Sequence, residues 1–178
     1  MPITSITVSN FKGISEKSDF KIRPITLFIG ANSSGKSSCI HALASLAQTV
    51  KLGDKSRPLV LDDEFAQVHL GRFIEIAHSK SYKNPIELGI EVGNIEIQTP
   101  DEKISGIASA FYTFKSTKRT QEIFIENACL RVGGRTIQIV RNKAGHYKLN
   151  DSGIGKNIDA EQTGNFSFIH ASIPKNTE

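Results

Sequence analysis

Residues 30–37 read Gly30-Ala31-Asn32-Ser33-Ser34-Gly35-Lys36-Ser37, a gap-free match to G-x-x-x-x-G-K-[S/T]. Each fixed residue type has a chemical reason to be there. A loop that wraps an anion must turn several backbone N–H groups inward, and Gly30 and Gly35 allow backbone angles and a close approach that a Cβ would hinder. A helix opening behind the loop adds unpaired N–H groups and a partial positive charge. Lys36 supplies a mobile point charge that reaches the β- and γ-phosphates of a nucleoside triphosphate. Ser37 offers a hydroxyl oxygen to Mg²⁺, a hard ion that favours oxygen ligands. Ser34 and Ser38 add donors to phosphate oxygens, and Asn32 and Ser33 complete the set of loop residues expected against the nucleotide. The four fixed positions match by chance in under about 1% of chains of this length. The alternative is a Gly/Ser-rich turn that merely joins a strand to a helix. The expected ligands are ATP and Mg²⁺.

Such a loop must be held by a strand before it and a helix after it. Ile25-Thr26-Leu27-Phe28-Ile29 is a short, nearly continuous apolar run, which suits a strand covered on both faces in a parallel sheet. A helix is predicted from near Lys36, with Ile40, Leu43, Ala47 and Val50 on one face at spacings of three and four. Lys51 sits favourably for the helix dipole, and Gly53 is the expected stop. Upstream, Ile3 to Phe11 reads as a half-buried strand with Ile6 and Val8 on one face, and a second strand includes Phe20-Lys21-Ile22.

Residues 54–85 read as a connector with one short helix or strand near Phe73 to Ala77. From Ile86 the texture is β. Ile86, Leu88, Ile90 and Val92 alternate with Glu87, Gly89 and Glu91, and Gly93-Asn94 is read as a hairpin turn before Ile95-Glu96-Ile97. Further strands are predicted over Ile107 to Phe114, Glu122 to Val132 and Arg135 to Arg141, with Gly133-Gly134 as a hairpin turn and a weaker strand at His146 to Leu149. The tail from Asn150 is polar except for Phe166-Ser167-Phe168-Ile169. This gives a phosphate-loop core at 1–53, a connector at 54–85, an antiparallel region at 86–150, and a tail at 151–178 expected to lead into a further lobe.

Two stretches, Ile6-Thr7-Val8-Ser9-Asn10-Phe11-Lys12-Gly13 and then Ile25 through Ser38, together resemble the opening of ABC-type ATPase heads. Within the AAA family ATPases the similarity is to the RecF, SMC and OLD-like group. Leu59-Val60-Leu61 and Leu70-Gly71-Arg72-Phe73 to His78 are similar to stand-alone bacterial ATPases of that group, some of them linked to anti-phage defence. The specific resemblance covers roughly the first 80 residues. It implies an α/β phosphate-loop (Walker A) core, the N-terminal lobe of such a head, with an antiparallel β-sheet annex. It implies that Asn32, Gly35, Lys36, Ser37 and Ser38 form the nucleotide loop and that Lys12 lies near the nucleotide; a surface turn lysine is the other reading of Lys12. It also implies a glutamine that senses Mg²⁺, for which Gln67 is the candidate by position, beside Gln48 and Gln98. In complete relatives two heads sandwich ATP, so the resemblance implies a homodimer coupled to DNA or to an effector such as a nuclease or toxin.

The chain also departs from that pattern. No S-G-G signature occurs, and no apolar strand ending in paired acids lies late in the chain. Asp62-Asp63 follows Leu59-Val60-Leu61 but comes too early, behind Arg57-Pro58. The catalytic residues are therefore unknown, and hydrolysis by this chain alone is not expected. A non-hydrolysing ATP-binding regulatory or interaction module is the alternative. A small kinase would need an arginine lid that does not follow the helix.

The rest of the composition narrows the class. The 178 residues fit one domain, or one with a small annex. No apolar run approaches the roughly 20 residues that cross a bilayer, and the opening Met1-Pro2-Ile3-Thr4-Ser5 has no basic segment followed by an apolar stretch, so a cytoplasmic setting without membrane partners is expected. Cys39 and Cys129 make no disulfide framework. The five histidines show no metal-ligand spacing. The net charge of +4 is compatible with nucleic acid, but equally with a solvated surface. Lys115, Lys118, Arg119, Arg131, Arg135, Arg141, Lys143 and Lys148 alternate in parity and are expected to divide between sheet faces.

Overall fold

The computed structural model describes residues 3–32, 34–52, 57–98, 103–152 and 157–160. An eight-stranded sheet carries the fold. In chain order its strands are β1 (Ile3–Ser9), β2 (Ser18–Lys21), β3 (Ile86–Gln98), β4 (Lys103–Ser116), β5 (Ile123–Val132), β6 (Arg135–Arg141), β7 (Tyr147–Asp151) and β8 (Asn157–Ala160). They lie in the order β2-β1-β3-β4-β5-β6-β7-β8, and every neighbouring pair is antiparallel. The helices are α1 (Lys36–Leu52) and the single-turn α2 (Phe73–Ile76).

Strict alternation gives the sheet two chemically different faces. One register row runs Val8, Leu88, Tyr112, Ala128, Ile139 and Leu149 across the strands. The next residue along each strand belongs to the other face, which carries Thr7, Gly89, Phe111, Cys129 and Gln138. The apolar face packs against α1 and the connector, whose Leu59, Leu61, Leu70, Phe73 and Ile76 join the core. The antiparallel region is therefore not an annex: β1 sits between β2 and β3, and the first strands share one sheet with residues 86–151.

Gly133-Gly134 forms the expected two-residue turn, with Val132 opposite Arg135 and φ values of 54° and 84°, the doubly positive pair that fits right-handed strand twist. Gly93-Asn94 does not turn the chain. β3 runs straight through it, and the step from Val92 to Ile95 faces only Ala108 to Gly106 on β4. One extra residue makes a bulge, with Asn94 at φ 32°. The β3–β4 connection falls at 99–102, outside the described residues. β8 was not expected, because Ile158 is its single large apolar residue.

Two further expectations are corrected. Residues 22–30 form no strand. The Ile22 amide still bonds to the Thr4 carbonyl at 2.9 Å, after which the chain leaves the sheet. Phe28 packs edge-on to Phe20 at 5.9 Å, while Ile25, Leu27 and Ile29 are 82%, 78% and 90% exposed. The expected strand covered on both faces is therefore not formed: Phe28 packs inward, and the side carrying Ile25, Leu27 and Ile29 faces solvent.

On α1 the predicted stripe of Ile40, Leu43, Ala47 and Val50 is not the face packed inward. Ser38, Cys39, Ala42, Ser45, Leu46, Gln48 and Thr49 are buried instead, whereas Ile40 and Val50 are more than half exposed. The polar buried face serves the connector, whose buried backbone has no strand partner. Gln48 Nε2 donates to the Val60 and Val68 carbonyls at 2.8 and 3.2 Å, and its Oε1 accepts from the Val68 amide at 3.1 Å. Thr49 Oγ1 accepts from the Val60 amide at 2.9 Å.

Candidate functional site

The loop between Ile29 and α1 lies at the surface. Gly30, Ala31, Asn32, Ser34 and Ser37 are exposed, so the turn opens to solvent rather than into the protein. Ser33 lies outside the described residues. Gly35 has φ +87°, a left-handed angle that bends the chain into α1 at little steric cost. A Cβ built there would sit 3.4 Å from Ile14 Cγ1 and 3.6 Å from the Gly13 carbonyl, so the loop also rests closely on the preceding turn. The Ser38 amide closes onto the Gly35 carbonyl at 2.9 Å, and the Ser34 amide onto Ala31 at 3.3 Å.

The Lys36 ammonium donates to the Gly30 and Ala31 carbonyls, at 2.8 and 2.5 Å. The loop thus folds around its own cation. An incoming phosphate must exchange these carbonyls for charged oxygens, which make roughly twice as strong a hydrogen bond. The Ser37 hydroxyl is exposed at the first turn of α1. Among the described residues no group of three His, Cys, Asp or Glu side chains could cage a metal ion. Mg²⁺ in nucleotide sites is commonly held by one or two protein oxygens and the substrate's phosphates. Ser37 would be such an oxygen, with the ion neutralising phosphate charge. Ser38 is turned inward: it is 3% exposed, and its hydroxyl accepts from the Gly13 amide at 3.4 Å.

The turn after β1 supports the loop from behind. Asn10 and Lys12 hold φ values of 53° and 49°, angles Asn tolerates and Lys seldom adopts. Phe11 and Ile14 exchange backbone hydrogen bonds, both 2.9 Å. The Lys12 amide donates to the Ile76 carbonyl at 2.6 Å, and its carbonyl lies 2.9 Å from His78 Nδ1. Asn10 Nδ2 fixes the turn to the start of β3 through the Asn84 and Pro85 carbonyls, at 2.9 and 3.0 Å. Asn10 and His78 escaped the sequence reading. The signal for Asn10 was the Asn-Phe-Lys-Gly run itself, since Asn and Gly favour left-handed turns.

Lys12, Gly30, Gly35, Lys36, Ser37 and Ser38 thus come together at one end of α1. The candidate glutamines do not join them. Gln48 is the clamp described above, twelve residues along the helix from Lys36, or about 18 Å. Gln67 is exposed beside Val68, which that clamp holds, and so sits toward the same remote end. The side chain of Gln98 lies outside the described residues. Asp62 bonds to His69 at 2.6 Å and Asp63 to Arg57 at 2.6 Å. Both follow Val60, which is tied to Thr49, so they too lie far from the loop.

Burial raises the Cys39 thiol to about 11, consistent with a packed rather than nucleophilic cysteine. The basic residues of the β region divide as expected. Arg135 makes a two-point pair with Asp151, at 2.9 and 2.7 Å; Lys115 pairs with Glu126 at 2.6 Å; and Arg141 lies 4.2 Å over the Phe124 ring.

Fold and site together define a mixed α/β domain with an exposed G-x-x-x-x-G-K-S loop at the mouth of its long helix. The chain belongs to the AAA ATPase domain family, whose model matches residues 1–175. Membership supports nucleotide binding, with ATP as the nucleotide. No curated protein matches the sequence. Among the described residues no helix is long and apolar enough to cross a membrane.

Proposed function

We propose that the chain is the MgATP-binding lobe of an ABC-type ATPase head of the RecF/SMC/OLD-like group. In this reading ATP drives two heads together in the cytoplasm, and the resulting dimer couples to DNA or to an effector protein. The observation that carries the proposal is the solvent-facing loop before α1, with the Lys36 ammonium at its mouth on the Gly30 and Ala31 carbonyls. Gly30, Asn32, Ser33, Ser34 and Gly35 would surround the phosphates. Ser37 would hold Mg²⁺, and Lys12 would approach from the supporting turn. The exposed Ile25, Leu27 and Ile29 beside the loop fit a surface that further structure covers in a working head.

The test is titration of a fluorescent ATP analogue with Mg²⁺ against the chain and Lys36→Ala. Loss of two charge-assisted contacts, worth about 1.5–3 kcal/mol each, predicts at least a tenfold weaker affinity. Unchanged binding by a folded Lys36→Ala sample would refute the proposal.

A second reading is a non-hydrolysing ATP-binding module. Its support is that, among the described residues, the paired acids Asp62 and Asp63 lie toward the remote end of α1. Phosphate release by this chain, abolished in Lys36→Ala, would exclude it.

A further inference from the structure

Between β1, residues 22–28 and α1 lies a groove of about 630 Å³, whose walls include Ile3, Ile6, Ile22, Phe28, Ile40 and Leu43. Ile6 at its floor is buried, whereas Ile40 on its helical wall is 57% exposed, so the groove opens to solvent along α1. Among the described residues the backbone N–H groups of Ile25, Leu27, Phe28 and Ile29 make no backbone hydrogen bond. Apolar walls beside unpaired main chain are what an incoming extended segment needs: the walls take its side chains and the main chain its backbone groups.

This chain carries a segment of that chemistry. Outside the described residues its large apolar side chains are Met1, Ile154, Phe166, Phe168, Ile169 and Ile173, so four of the six fall within one eight-residue stretch. No Asp, Glu, Lys or Arg interrupts residues 166–173. In an extended chain Phe166 and Phe168 would share one side, and Ile169, Ala171 and Ile173 the other, a pattern that asks for cover on both faces. The stretch also has the reach. From β8 to β1 is six strand spacings, or roughly 29 Å. Phe168 and Ile173 follow Ala160 by eight and thirteen residues, a span of roughly 26 and 43 Å.

We infer that Phe168–Ile173 of the same chain docks in this groove as an extended segment, with its apolar side chains on Ile6, Phe28 and Leu43. Docking fastens residues 25–29, which run directly into Gly30, and so steadies the entry to the loop. The inference goes beyond the nucleotide reading and holds whichever ligand the loop takes.

The test is paramagnetic relaxation in the full chain. A nitroxide is attached at Lys175→Cys, just past the segment, in a Cys129→Ser background that leaves only the buried Cys39 thiol. The methyl groups of Ile6, Ile22 and Leu43 are observed. Docking within one chain predicts that these signals broaden, and that they stay sharp when an isotope-labelled chain is mixed with a separate spin-labelled chain. Phe168→Ser/Ile169→Ser should abolish the broadening and speed amide exchange of Ile25–Ile29 about tenfold. Unchanged exchange in β4 and β5 shows that the sheet of this variant is folded; if it is not, the broadening in the spin-labelled parent decides alone. Groove methyls untouched by the label would overturn the inference. Broadening that arises from the mixed sample would overturn it as well, by giving the groove to a second copy.

Discussion

Gln48 separates a structural from a functional glutamine. It is 1% exposed and makes three hydrogen bonds to connector backbone, one fully buried and two partly so. Gln48→Leu keeps the volume and removes every bond, so the cavity contribution is small and the cost is that of stranded backbone groups. The buried Val60 carbonyl costs about 1–3 kcal/mol when left without a donor. The amide and carbonyl of Val68 retain some access to water and lose about 0.5–1 kcal/mol each. The sum, about 2–5 kcal/mol, is a large share of the roughly 5–15 kcal/mol that holds an ordinary domain. With a urea slope of about 2 kcal/mol per molar, the midpoint should fall by about 1–2.5 M. Circular dichroism follows the transition, and MgATP titration below it should give an affinity within twofold of the parent. Gln48→Glu supplies a second probe. Its carboxylate would face two carbonyl oxygens, so its stability should improve as acid protonates it and restores one donor. A midpoint shift below about 0.3 M, or a selective loss of Mg²⁺-dependent binding in a stable protein, would refute the clamp and return Gln48 to the phosphate site.

The remaining predictions concern surface and titration. Replacing Ile25, Leu27 and Ile29 by Ser or Thr should reduce self-association and hydrophobic-dye binding without lowering the urea midpoint, because these side chains are already in water; dye binding unchanged in light scattering and fluorescence assays would contradict the exposed face. Cys39 should resist alkylation at pH 8 in the native state and react on unfolding, whereas half-buried Cys129 should label first; mass spectrometry of each peptide reads the order. The Cys39 thiol is raised in the fold from 9.0 to about 11, so the stability it contributes is complete below pH 9 and is lost as pH rises toward 11. Cys39→Ser, whose hydroxyl does not titrate in this range, should show a flatter decline there.

What the sequence determined by itself is local. Gly30–Ser37 was legible as a motif because the pattern lies in residue types at fixed spacing, independent of what surrounds them. The strands declared themselves through period-two alternation, and Gly133-Gly134 through the positive φ values its turn demands. Tertiary structure decided which partner each face meets. Periodicity grouped Ile40, Leu43, Ala47 and Val50 on one side of α1, yet the helix turns a mixed face inward, with Cys39, Ala42 and Leu46 in the core and Gln48 and Thr49 bonded to connector backbone. The apolar run Ile25 to Ile29 suggested a strand covered on both faces, but pairing needs a second chain segment beside it, which no local pattern supplies. Gly93-Asn94 has the residues of a turn and became a bulge, because β4 continues alongside it in register. The turn holding Lys12 depends on Ile76, His78 and Asn84, more than sixty positions away. Contacts of that span are fixed by packing, and a single sequence records the residues but not which of them will meet.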